Sequence, residues 1–202
     1  MNDSLLRYLS ISGIAAVFLL GIFLQRVGFI DGILDYWEDI LYLGGQHLSL
    51  VMISGGLAIL VAIPIGIVLS RPSLSHIAEN AMQLLNISTT VPTLAVLALS
   101  MSVLGIGTVP AIFGLFILSL LPIARNTYTG LQEVPEHLKE AARGIGMTPA
   151  QMLFKVELPN AMFVISAGIR TALAINVGTA PLAFLIGGGG LGELIFSGID
   201  LN

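Results

Sequence analysis

Charged side chains are spaced so widely along this chain that the gaps between them mark out its elements. No charge falls between Tyr8 and Gln25, and Leu48 to Ser70 form an uncharged run of 23 residues between His47 and Arg71. Between Glu79 and Arg125 lie another 45 uncharged residues. That length exceeds one membrane span at 1.5 Å per residue, and Gly105-Ile106-Gly107 with Pro110 supplies the turn between two. From Leu158 to Gly192 the sole charge is Arg170. The pattern predicts an all-α, polytopic membrane helical bundle with five spans, at about 8–25, 48–70, 80–104, 109–128 and 161–186. Asn86-Ile87-Ser88 opens the third span, so it is read as a false glycosylation match.

Composition agrees with this reading. Of 202 residues, 55% are hydrophobic and 10% charged, against about a quarter charged in ordinary soluble domains. A net charge of −4 argues against a nucleic-acid binder, and the absence of cysteine removes disulfide frameworks, thiolate metal sites and thiol catalysis. Placing the N-terminus in the cytoplasm puts Arg7, Arg71, His76, Lys139, Arg143 and Lys155 inside and leaves Arg26 outside. The opposite loop, Asp31 to Gln46, carries Asp31, Asp35, Glu38 and Asp39 with Tyr36, Trp37 and Tyr42, as an outer interfacial segment would. Leu24-Gln25-Arg26-Val27 offers no small-x-small site, so the first span is read as uncleaved. Five spans that start inside end outside at Ile199–Asn202, and a further C-terminal span is expected to follow.

Residues 131–160 are the long polar stretch. Val134-Pro135-Glu136 starts a helix, with proline at its first position, and Gly144-Ile145-Gly146 ends it with a left-handed cap. Thr148-Pro149-Ala150-Gln151 starts a second helix with a capping box, and Leu158-Pro159 is expected to end it. This short-helix hairpin is either a docking element for a cytoplasmic partner or an amphipathic hairpin resting on headgroups.

Glu140-Ala141-Ala142, three residues, Gly146, nine residues, Val156, one residue and Leu158-Pro159 closely resemble the EAA loop of binding-protein-dependent ABC-transporter permeases. The departure is Val156 where that family has isoleucine. The resemblance extends over about 45–202, through Ala62-Ile63-Pro64-Ile65-Gly66, Thr90-Val91-Pro92-Thr93, Leu121–Thr127 and Gly189-Gly190-Leu191-Gly192-Glu193, segments similar to permeases for glycine betaine, choline and carnitine. It implies a type I ABC importer permease that pairs with a second permease copy or homologue and binds two cytoplasmic ATPase subunits. An extracytoplasmic substrate-binding protein would deliver the solute. Glu140, Ala141, Ala142, Gly146, Leu158 and Pro159 would carry ATPase coupling. Residues 1–47 would be an added span with its outer acidic loop, and 48–202 the core containing the coupling hairpin 131–160. A fifth core helix is expected after Gly198.

The remaining chemistry is sparse. No Walker A phosphate loop occurs, so ATP hydrolysis falls to partners and the chain is not expected to be an enzyme. Gly187, Gly189 and Gly192 satisfy G-x-G-x-x-G, but they follow an apolar run and are read as a flexible outer loop. His47, His76 and His137 have no metal-ligand spacing, so neither metal nor other cofactor is expected. No acid falls inside a predicted span, which weakens a proton-coupled mechanism. Arg170 lies eleven residues past Pro159, roughly 16 Å along a helix and near the bilayer middle. It either lines a translocation path or gate, or binds helix-end carbonyls. Thr89, Thr90, Pro92, Asn176 and Thr179 are the other candidates for the path, against the alternative of interhelical hydrogen bonding. Prolines 64, 92, 122 and 181 are expected to kink their helices. The rival functions are a cation-coupled secondary transporter, an ABC importer permease for another small solute such as an amino acid, and a non-transporting scaffold.

Overall fold

The computed structural model describes residues 3–74, 76–78, 80, 81, 83 and 90–200. All of the regular structure among them is helical. By its internal contacts the chain divides into two compact units, residues 1–42 and 43–202. In the first, α1 (Asp3–Arg26) meets α2 (Phe29–Asp35) at a 62° bend. Gly28 forms the bend at φ 70°, and Gln25 Nε2 donates to both carboxylate oxygens of Asp31 across it, at 3.2 and 3.3 Å.

The second unit holds most of α3 (Trp37–Leu69), then α4 (Thr93–Leu104), α5 (Thr108–Gln132), α6 (Glu136–Gly144), α7 (Pro149–Met152), α8 (Leu158–Thr179) and α9 (Gly192–Asp200). Three buried layers order the long helices. Leu50, Val51, Leu97, Ala111, Leu115, Ala180, Ala183 and Ile186 form one end. Ala58, Ala62, Ile123, Ala124 and Ala172 form the middle, and Leu131, Val134, Ala161 and Ile165 the other end. Because α3 and α5 cross the layers in one direction and α8 in the reverse, α8 runs antiparallel to both. The middle layer is built largely of alanine, and the glycines beside it bring backbones together. A carbon added to Gly66 would lie 2.6 Å from Thr127 Cβ, which is why α3 can approach α5 so closely.

Among the described residues three helices are long and apolar enough to cross a membrane, Trp37–Leu69, Thr108–Gln132 and Pro149–Ile186, and the bent α1–α2 pair makes up to four. These differ from the five expected spans in ways that have local causes. The second span starts eleven residues early, at Trp37, because the acids read as a loop sit in a first helical turn. Glu38 and Asp39 there complement the positive end of the helix. The third expected span is interrupted at 90–92, where Pro92 adopts extended geometry (φ −58°, ψ 136°) and caps a helix of 12 residues. Proline disfavours helical geometry at the residue before it, Val91. The Asn86-Ile87-Ser88 match lies outside the described residues.

The fifth span is the largest revision. No break occurs at Leu158-Pro159; the helix continues from Pro149 to Ile186. A proline at 159 within regular α-helix would press its ring against the carbonyl four residues back. A π-turn at Leu153–Glu157 avoids this: Leu158 N–H donates to Leu153 O, and Pro159 falls in the first turn of α8, where a missing N–H costs little. Asn160 Nδ2 takes up the Val156 carbonyl at 2.7 Å. Pro64 and Pro122 lie within helices, whereas Pro181 marks the change from α8 to a 3-10 segment, Ala180–Ile186.

Candidate functional site: the EAA hairpin and the bundle above it

The hairpin is built by two pieces of local chemistry. At the end of α6, Gly146 takes φ 78°, its N–H donates to Arg143 O at 2.9 Å, and Met147 N–H reaches back to Ala142 O at 3.0 Å. This paired closure is a Schellman motif, which satisfies carbonyls that a helix end otherwise leaves open. Thr148 then starts α7 with a reciprocal capping box: Gln151 N–H donates to Thr148 Oγ1 at 3.3 Å, and Thr148 N–H to Gln151 Oε1 at 2.9 Å. Pro135, expected at the first helical position, instead occupies the N-cap in extended geometry.

The hairpin has an inner and an outer side. Ala142 is buried, while Glu140, Ala141, Gly144, Ile145 and Gly146 face outward. Leu158 is half-buried and packs with Leu153 against the Leu131–Val134–Ala161–Ile165 layer, so the base of the hairpin is continuous with the bundle. Pro159 is exposed. Arg143 Nη1 donates to Glu136 Oε1 at 2.8 Å, and Lys139 Nζ stands 3.8 Å from Glu136 Oε2. The bond from Arg143, opposed by desolvation and helped by the charges of Arg143 and Lys139, holds the Glu136 carboxyl below its usual range. Its contribution is therefore present at neutral pH and is lost on acidification through that lowered value. As an exposed pair it is worth little.

The candidates for a translocation path do not gather in one place. Asn176 is buried at 1% exposure in the middle of the bundle, where its Nδ2 donates to Ser54 Oγ at 2.9 Å and Ser119 Oγ at 2.8 Å. It thereby ties α8 to α3 and α5. Thr179 donates within its own helix, to Ile175 O at 2.9 Å. Arg170 is exposed on another face of α8 and has neither hydrogen bond nor ion pair among the described residues. Thr90 and Pro92 are exposed at the break before α4, and Thr89 lies outside the described residues.

The glycine segment read as a flexible loop is pinned. Gly187, Gly189 and Gly190 all take positive φ, Gly190 N–H donates to Gln46 Oε1 at 3.0 Å, and Gly107 N–H donates to Ile186 O at 2.9 Å. Gly192 packs against the Pro181 carbonyl and begins α9, upstream of the helix expected after Gly198.

Sequence reasoning missed the Arg71–Glu157 ion pair, 2.7 Å between Nη2 and Oε2. Its signal was present: the basic residue closing one apolar run and the acid just before another share a membrane level.

A bundle of apolar helices with one end extended into a capped polar hairpin is the architecture of a polytopic helical membrane protein. The comparisons make the class specific. Residues 58–201 match the family described as binding-protein-dependent transport system inner membrane component, and the chain belongs to that family. It is 56% identical over 94% of its length to the osmoprotectant import permease protein OsmY of Salmonella typhimurium, of which the match covers 80%. It is 48% identical to the choline transport system permease protein OpuBB of Bacillus subtilis, over 81% of this chain and 74% of that one. The inward-facing MetNI methionine ABC transporter superposes with TM-score 0.70 and 26% identity, covering 78% of this chain and 79% of that one. The chain is thus an inner-membrane permease subunit of an ABC importer, and not itself an enzyme. ABC importer permeases work with ATPase and substrate-binding partners.

Proposed function

We propose that this permease imports a quaternary-ammonium osmoprotectant such as glycine betaine, choline or carnitine, and that Glu140, Ala141, Ala142 and Gly146 form its contact with the ATPase. The carrying observation is the hairpin itself. Glu140, Ala141 and Gly146 are presented outward on a turn closed by two backbone hydrogen bonds, while Ala142, Leu153 and Leu158 anchor the other side. The solute reading is supported by the relatives: OsmY, OpuBB and the 46% identical glycine betaine/carnitine/choline permease OpuCB of Bacillus subtilis. Two of the relatives, OsmY and OsmW, come from Salmonella typhimurium, which favours a pair of unlike permeases over two copies of one.

Residues 48–202 act as the transporting core, with 1–47 an addition to it. The N-terminus lies in the cytoplasm. Arg170, exposed and unpaired among the described residues, faces the translocation path or the partner permease, where a charge at that depth finds water or a polar group. Thr89, Thr90 and Pro92 are candidates for the same path. Asn176 and Thr179 act instead within the bundle.

The test of function is uptake in proteoliposomes holding the permease pair, the ATPase and the binding protein. Uptake of labelled choline or glycine betaine is expected to require internal ATP and to be competed by carnitine. Uptake that follows a sodium gradient without ATP, or that only amino acids compete, overturns the reading. Topology has a separate check, because the chain has no cysteine. Ile145→Cys, 74% exposed in the hairpin, is expected to react with an impermeant thiol reagent from the cytoplasmic side alone.

A further inference from the structure

The ion pair at the root of the hairpin joins two elements far apart in sequence. Arg71 stands two residues beyond α3, and Glu157 is the last residue of the π-turn between the hairpin and α8. The Glu157 side chain is 5% exposed and that of Arg71 30%. Arg71 is itself held in place: its Nε donates to Ile67 O at 3.1 Å and its Nη2 to Ser70 Oγ at 2.9 Å. Gln132, the last residue of α5, donates from Nε2 to Ser70 O at 3.1 Å. The ends of α3 and α5 and the start of α8 therefore meet around Ser70, Arg71 and Glu157.

This arrangement matters because a π-turn is a local departure from regular helical bonding and a natural point of bending. A push on the hairpin alone would be absorbed by flexure at Leu153–Glu157. Fixing the far end of that turn to α3 blocks this escape, and the packed layer of Leu131, Val134, Ala161 and Ile165, flanked by Ile63 and Ile67 of α3, lies directly beside it. Burying a charged pair is a poor way to gain stability, since an apolar pair of similar volume often does as well. The ion pair's use is directional: it gives the turn one fixed partner.

We propose that Arg71 and Glu157 are positioning residues that carry displacement of the hairpin into α3, so that α3 and α8 move together. The inference rests on the hairpin being the ATPase contact. It is tested in the complete reconstituted importer with Glu157→Gln, which keeps the shape and removes the charge. Arg71→Gln serves as the second variant, at the more solvated partner, and decides the question if Glu157→Gln fails to insert. ATPase binding and stimulated hydrolysis are expected to persist, while solute moved per ATP falls about tenfold. Arg71→Lys is expected to retain most of the coupling, and the double variant to be no worse than either single one. A wild-type transport-to-hydrolysis ratio in the inserted Gln variants overturns the proposal. So does a double variant whose losses add. Undiminished ATPase binding by a Gly146→Pro hairpin would sink the docking reading instead, so the two failures are read on different assays.

Discussion

Replacing Gly146 with proline is expected to abolish uptake while membrane insertion persists. Gly146 holds φ 78° and its N–H bonds Arg143 O. Proline fixes φ near −65° and has no N–H, so it removes the geometry and the bond together. The second closing bond, from Met147 N–H to Ala142 O, depends on the same chain reversal and goes with it. Left-handed geometry costs an ordinary L-residue about 1–2 kcal/mol, so Gly146→Ala should leave a weakened hairpin and partial uptake. A carbon added at Gly146 meets nothing within 4 Å, so the damage stays local to the hairpin. The measurement is ATP-driven uptake in proteoliposomes beside co-purification of the ATPase. Normal uptake by a correctly inserted Gly146→Pro protein would remove the hairpin from the coupling route.

The hairpin was legible because each of its parts is a local rule. Small residues, a glycine at the required positive φ and a Thr…Gln capping box each speak through neighbours a few positions away. The family was legible for the same reason, since the Glu140-to-Pro159 spacing is contained in one stretch of chain. What the sequence concealed depends on partners far along it. Leu158-Pro159 reads as a stop because proline ends regular α-helix, yet a π-turn upstream carries the helix through. The sequence favours interhelical hydrogen bonding over a pore role for Asn176 but does not identify its partners, because a membrane helix is apolar on nearly every face and offers no stripe to orient it. Only the placement of Ser54 and Ser119, on two other helices, decides that it points inward. The same holds for Glu157, whose partner lies 86 residues away.

Lengthening Gly168 to leucine is expected to destabilise the bundle by about 1–3 kcal/mol, the usual cost of overpacking a rigid contact. The helices α5 and α8 make the most extensive helix contact among those described, and Gly168 sits within it. A carbon built on Gly168 would lie 2.5 Å from Asn126 Cβ and 3.1 Å from Pro122 O. Neither atom is the free end of a flexible chain; one is fixed to the backbone of α5 and the other belongs to it. Asn126 cannot turn away easily, because its Nδ2 donates to Pro122 O at 2.8 Å. The helices must therefore separate, and that parts Ala172 from Ile123 and Ala124 in the middle layer. Gly178→Leu on the same helix is the control, since nothing lies within 4 Å of a carbon added there. Thermal unfolding of the purified permease in detergent should show a lowered midpoint for Gly168→Leu and little change for Gly178→Leu. Equal shifts in the two would mean that close packing between α5 and α8 is not what holds them together. If the hairpin receives the ATPase as proposed, such a joined α5–α8 pair would carry its movement to the opposite end of the bundle, where Ala180, Ala183 and Ile186 pack on Ala111 and Leu115.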